Sequence, residues 1–210
     1  MTFSSIHAAA ATPHARAGYR RKNAAFAAAQ AQARVLVVPG LRNSGDGHWQ
    51  THWQRAHPEY IRVEQRDWNN PDLATWSAEV EQALHAGDTP AIVIAHSFGC
   101  LATMRAASSV RDRIAAAFLV APANPARFGI EQDIATAGPS LPSVLVASTN
   151  DPWLSFDKAA ELAQRWGSNL VNLGDAGHIN AASGHGAWPE GERLFYELQR
   201  RVAAIARVTA

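Results

Sequence analysis

The chain has 210 residues, 47% of them hydrophobic and 18% charged, with 19 basic and 18 acidic side chains and a net charge of +1. That length fits one domain plus an extension, and the apolar share is that of a chain that packs a core. A single cysteine, Cys100, excludes an internal disulfide and a thiolate-rich metal site. The longest apolar runs fall short of a membrane span, and near-neutral charge argues against a dedicated nucleic-acid binder.

The charge is uneven along the chain. Residues 1–34 hold five basic side chains (Arg16, Arg20, Arg21, Lys22, Arg34) and no acid, which leaves 14 basic against 18 acidic, a net −4, for residues 35–210. Residues 1–33 are alanine-rich without apolar periodicity and read as a disordered or loosely helical extension ahead of a domain at 34–210. Arg20-Arg21 before an alanine run resembles a twin-arginine export signal, and an acid-free, arginine-rich head resembles a transit peptide. Gln30 and Gln32 interrupt the apolar stretch, so a cytoplasmic location is expected, with export or organelle targeting as the alternative.

From residue 34 the pattern alternates. Val35-Leu36-Val37-Val38, closed by Pro39-Gly40, reads as a strand buried on both faces. Residues 48–57 read as a short helix with Trp49 and Trp53 on one face. Tyr60 to Val63 is a second strand, and residues 72–86 are helical, with Leu73, Trp76, Val80 and Leu84 on one stripe. Ala91 to Ile94 is a third strand, followed by a helix to about Ser108. Ile114 to Val120 is a fourth, residues 123–142 a loop or short lid, and Val144 to Ala147 a fifth. A helix over 155–166, a sixth strand over 169–173 and a helix from Pro189 complete the chain. Six strands alternating with helices predict an α/β fold with a mostly parallel sheet and helices on both faces. Its chemistry should lie in the loops after the strands.

Ser97 lies in such a place, between a strand and a helix, with Ala95 two before it and Gly99 two after. That is the A-x-S-x-G form of a nucleophile elbow, whose sharp turn demands small neighbours. A plain helix N-cap is the structural alternative for this serine. A serine nucleophile needs a base and a carboxylate to orient that base. Asp151, after the fifth strand, and His178, after the sixth, follow in the order serine, acid, histidine that this fold uses. The structural alternative for Asp151 is a helix-capping or turn aspartate before Pro152, and for His178 a loop histidine. Asp157 lies within a predicted helix, Asp175 is too near His178 in sequence, Asp133 lacks a strand to position it, and His185 is the rival base.

An oxyanion hole is expected from the N–H of Phe98 and that of Leu41, with Gly40 letting the backbone approach. Arg42 and Asn43 in the same loop, and Trp153 beside Asp151, are candidate substrate contacts. His48 and His52 have a metal-ligand spacing, but Trp49 stands where a zinc protease needs glutamate, so a packed helix with a polar face is the expected reading and no metal is called for. His96 is expected to point away from Ser97 in a hydrogen-bonding scaffold role. Cys100 is expected to be a small buried residue. No dinucleotide or phosphate-loop signature occurs, so no cofactor is indicated.

Pro39-Gly40 with Ser44, His48-Trp49-Gln50 and Trp53, then AHSFGC at 95–100, DPW at 151–153, GHIN at 177–180 and Trp188-Pro189-Glu190-Gly191, form an ordered set. Over residues 35–205 the chain resembles the small serine hydrolases related to the retinoblastoma-binding serine hydrolase and the bacterial YdeN-type proteins. The resemblance implies a nearly lidless α/β-hydrolase with Ser97, Asp151 and His178 as its triad. It also implies activity on small esters, aminoacyl esters or amides. One animal branch is associated with protein binding, so the alternative is a protein-binding module on a hydrolase scaffold with vestigial activity. The expected partner is a small ester or amide, with neither nucleic acid nor membrane; the sequence gives no sign of a protein partner.

Overall fold

The structure is a computed structural model that describes residues 34–135 and 141–208. The expectations for residues 1–33 lie outside the described residues.

The apolar runs form the centre of one sheet. Strands β1 (Arg34–Val38), β3 (Ala91–His96), β4 (Ile114–Val120) and β5 (Ser143–Ala147) are buried along nearly their whole length. With β2 (Ile61–Arg62) and β6 (Asn169–Asn172) they give the order β2-β1-β3-β4-β5-β6, with every pairing parallel. The outer strands are short and largely exposed, as edge strands that must not recruit a neighbour are. The expected second strand, Tyr60 to Val63, therefore shrinks to two residues. It has a partner on one side only, and Tyr60 is instead turned back to the carbonyl of His57.

Successive side chains of a strand point to opposite faces, so each strand feeds two cores. Leu36, Val38, Val93 and Ala95 pack with helices α2 (Leu73–His85), α3 (Phe98–Val110) and α5 (Phe156–Trp166). Val35, Val37, Ile92 and Ile94 pack on the other face with α1 (Trp49–Ala56) and α6 (Pro189–Val208). Trp49, Trp53 and Trp76 are core residues, as their spacing predicts. The segment expected as a loop or short lid holds a 3-10 turn, Pro125–Phe128, and a single-turn helix α4 (Glu131–Ala135). Phe128 packs edge-on against Phe98, ring centroids 5.0 Å apart. No helix among the described residues is long and apolar enough to cross a membrane.

The strand order reverses between β1 and β3, and the loops leaving these two strands part there to open a crevice. Such switch points are where open parallel sheets place their ligands.

Candidate active site

Ser97 occupies the turn from β3 into α3 with φ 55° and ψ −123°, a strained conformation for a residue with a Cβ. Small neighbours make the turn feasible. A Cβ on Gly99 would lie 2.4 Å from the carbonyl oxygen of Pro39 and 2.5 Å from that of Val38. The Ser97 side chain makes no capping bond to its own helix, so the structural alternative for this residue does not hold. Its Oγ lies 3.0 Å from Nε2 of His178.

His178 Nδ1 in turn lies 2.8 Å and 3.1 Å from the two carboxylate oxygens of Asp151. The carboxylate can only accept, so Nδ1 carries the proton and Nε2 presents a lone pair to the serine hydroxyl. The Asp151 and His178 side chains are 3% and 9% exposed, so their interaction is shielded from water. Asp151 also serves its turn, accepting from the Trp153 N–H at 2.8 Å.

The loops that carry this pair are pinned together by groups the sequence reasoning passed over. Asn150 Oδ1 accepts from the Ser148 hydroxyl and from the Gly177 N–H at 2.7 Å each, and Ser148 Oγ accepts from the Ala176 N–H at 3.1 Å. Asp175, set aside as a triad acid, accepts from the Thr149 hydroxyl at 2.6 Å. The rival base His185 meets Ser183 Oγ rather than Ser97. Indole N–H groups from the far face hold the rest of the histidine loop: Trp49 donates to the carbonyl of Ile179 and Trp53 to that of Ala187, each at 2.9 Å.

The loop after β1 runs against Ser97, for a Cβ on Gly40 would lie 2.7 Å from Ser97 Cβ. Among the described residues the N–H groups of Leu41 and Phe98 meet no acceptor within the fold. Arg42 and Asn43 follow with φ 65° and 62°, Arg42 N–H donating to Trp68 and Asn43 N–H to Gly40. Gln50, fully buried at the start of α1, donates from its amide to the carbonyls of Val38 and Ile94 and so ties the ends of β1 and β3. These loops enclose a cavity of about 260 Å³ over Ser97 and His178, walled by Leu41, Phe128 and Trp153, with Arg42 and Asn43 at its edge. Arg42, Asn43 and Trp153, the candidate substrate contacts, thus stand at one cavity.

The family model described as "Serine hydrolase" matches residues 35–197. The chain belongs to the serine hydrolase family. It is 30% identical to the rat serine hydrolase RBBP9 over 174 residues, 72% of this chain and 90% of that protein. Among solved structures it is similar to a YdeN-like hydrolase from Pectobacterium atrosepticum, with 39% identity, TM-score 0.75, and 90% of this chain and 98% of the other covered. The ydeN gene product of Bacillus subtilis, 20% identical over 79% of this chain and 98% of its own, has TM-score 0.63 and shares the fold. The fold is that of an α/β-hydrolase, and family and fold together support hydrolase activity.

Three histidine rings line up beside Ser97, His48 at 4.7 Å from His96 and His96 at 4.9 Å from His178. His96 fills its expected scaffold role by donating from Nε2 to the His178 carbonyl at 3.0 Å, yet its ring stays at the cavity wall. His48 departs from expectation. It is not on a polar helix face but is the buried N-cap of α1, its Nδ1 accepting from the Gln50 N–H. Burial, then the nearby Arg62 charge, lowers its pKa to about 3. Burial, then His48, holds His96 well below its ordinary value. Both are therefore neutral near pH 7. Burial raises the Cys100 thiol, which fits an inert packing residue.

Asn180 and His48 also line the cavity. Their signal lay in GHIN and HWQ, strings that carried the family resemblance without a role attached to these positions.

Proposed function

We propose that this chain hydrolyses small carboxylic esters through Ser97, His178 and Asp151. The observation that carries this reading is the continuous hydrogen-bonded line from Ser97 Oγ through His178 to Asp151, anchored at a strained turn that leaves the hydroxyl free of any capping duty. His178 Nε2 accepts the hydroxyl proton as Ser97 Oγ attacks the ester carbon, and Asp151 stabilises the imidazolium that forms. The unpartnered N–H groups of Phe98 and Leu41 receive the oxyanion. Collapse expels the alcohol, which takes the proton from Nε2. Water, activated by the same nitrogen, then releases the acid and restores the serine. These steps use side chains, backbone and water. A cavity of about 260 Å³ suits a short acyl group.

The test is labelling with a fluorophosphonate probe, read by mass on the peptide that holds Ser97. Wild type should gain one adduct there, and Ser97→Ala none. Folded wild type that resists the probe and leaves p-nitrophenyl acetate and butyrate intact would overturn the reading and favour a binding module on a hydrolase scaffold.

A further inference from the structure

The polar groups around the cavity share a chemical bias. Asn43 Oδ1 already accepts from the Ser44 N–H at 2.7 Å and from the Arg62 guanidinium at 2.5 Å, so its free amide group is the donor, Nδ2. Asn180 Oδ1 accepts from the Ser183 N–H at 3.1 Å, which again leaves Nδ2. His48 Nδ1 accepts from the Gln50 N–H, so the ring proton sits on Nε2, and that buried atom has no partner. A buried donor left unmade is costly enough to ask for a purpose. Arg42 reaches the cavity edge with no partner for its guanidinium among the described residues.

The acceptor atoms of the two amides and the His48 ring thus already accept bonds inside the protein, while their donors remain. The exception is His96, whose Nε2 proton goes to the His178 carbonyl, leaving Nδ1 bare. Among the described residues no carboxylate lines the cavity; Asp151 lies behind His178, its side chain 3% exposed. A second guanidinium, that of Arg127, stands 4.9 Å over the Trp153 ring that forms one wall. A cavity with spare donors, a free cation and no anion desolvates an acceptor-rich, negatively charged group favourably and a cationic one unfavourably.

We propose that the substrate is an ester carrying a carboxylate, held by Arg42 with the Asn43 and Asn180 amides, and that cationic aminoacyl esters are rejected. This rests on the ester hydrolase reading and names the substrate class for it. The probes are three p-nitrophenyl esters that differ at one end: the adipate monoester, the hexanoate and the 5-(trimethylammonio)pentanoate. Expected kcat/KM falls in that order, with adipate at least about tenfold above hexanoate, in keeping with a charge-assisted hydrogen bond. Raising NaCl from about 0.05 to about 0.5 M should narrow the ratio. Arg42→Gln should bring it within about twofold of one, and Arg42→Glu should reverse the order. Hexanoate matching adipate in wild type, or a ratio unchanged in Arg42→Gln, overturns the proposal.

Failure to turn over all three esters would count against the hydrolase reading. The charge preference is then decided by titrating Ser97→Ala protein with the same intact esters and following tryptophan fluorescence. Tighter binding of the adipate ester that is lost in Ser97→Ala/Arg42→Gln sustains it, and equal binding of the three overturns it.

Discussion

Ser97 and His178 reach the same 3.0 Å contact by different routes. Ser97 stands between a fully buried strand and a helix whose first turn presses on the backbone of β1. Its position is set by sterics, and the tolerance is that of a missing Cβ. His178 lies in the stretch 173–188, where the regular structure among the described residues is the 3-10 turn Ala181–Ser183. Its position is set by hydrogen bonds from outside: Asn150 and Ser148 from the β5 loop, Trp49 and Trp53 from α1, and His96 from β3. A serine in a fixed turn and a histidine in a cross-braced loop should therefore fail differently when altered.

The largest effect is expected from removing the hydroxyl itself. Ser97→Ala should lower kcat on a p-nitrophenyl ester by about 10⁴-fold or more while leaving the thermal midpoint nearly unchanged, because the side chain makes no capping bond. Asp151→Asn should follow at about 10³- to 10⁴-fold, since the amide invites the wrong tautomer of His178. Equal loss of folding in either variant would contradict this separation of site from scaffold.

Next comes Gly99→Ala, which forces a methyl group onto two backbone carbonyl oxygens. We expect a destabilisation of about 3 kcal/mol, at the upper end for overpacking, with loss of activity through displaced β1 and Leu41. Urea denaturation measures the first and kcat the second. A stable, active Gly99→Ala would break the claim that sterics fix the position of Ser97.

Trp49→Phe keeps a ring in the core and removes the donor to Ile179. About 1 kcal/mol of stability should go with that bond. Activity should fall more than stability implies, by about tenfold, because His178 is adjacent to the released carbonyl. A stability loss with full kcat would show that the loop is held well enough by its other braces.

The last effect is confined to acid pH and concerns the seam between the two stretches, where His48 packs on His96. The folded pKa of His48 lies near 3 against an ordinary 6.5, so the unfolded chain takes up the proton first. Stability is full above pH 6.5 and declines as pH falls from 6.5 toward 3, by up to about 2 kcal/mol at pH 5 from this residue. His48→Asn, which can keep the helix cap, should lose less stability between pH 7.5 and pH 5 than wild type in paired urea titrations. An equal loss would place the acid sensitivity elsewhere.

Much of this could be read from the chain alone, because hydrophobic periodicity and strand-end position are local. Val35 to Val38 and Ile114 to Val120 are apolar enough to be central strands wherever they sit. The order Ser97, Asp151, His178 and the elbow around Ser97 followed from the same logic. The loop residues Arg42, Asn43 and Trp153, singled out by adjacency to those strand ends, line the cavity. Edge behaviour was not legible, since whether Tyr60 pairs depends on a neighbour far along the chain. Nor was the character of the cavity. Whether Asn43 offers a donor or an acceptor depends on Arg62, and whether His48 is a surface residue depends on the packing of His96 against it. Sequence determined which residues stand at the strand ends. Tertiary structure decided which of their lone pairs and protons remain free, because hydrogen-bond partners between distant segments exist once the chain has folded.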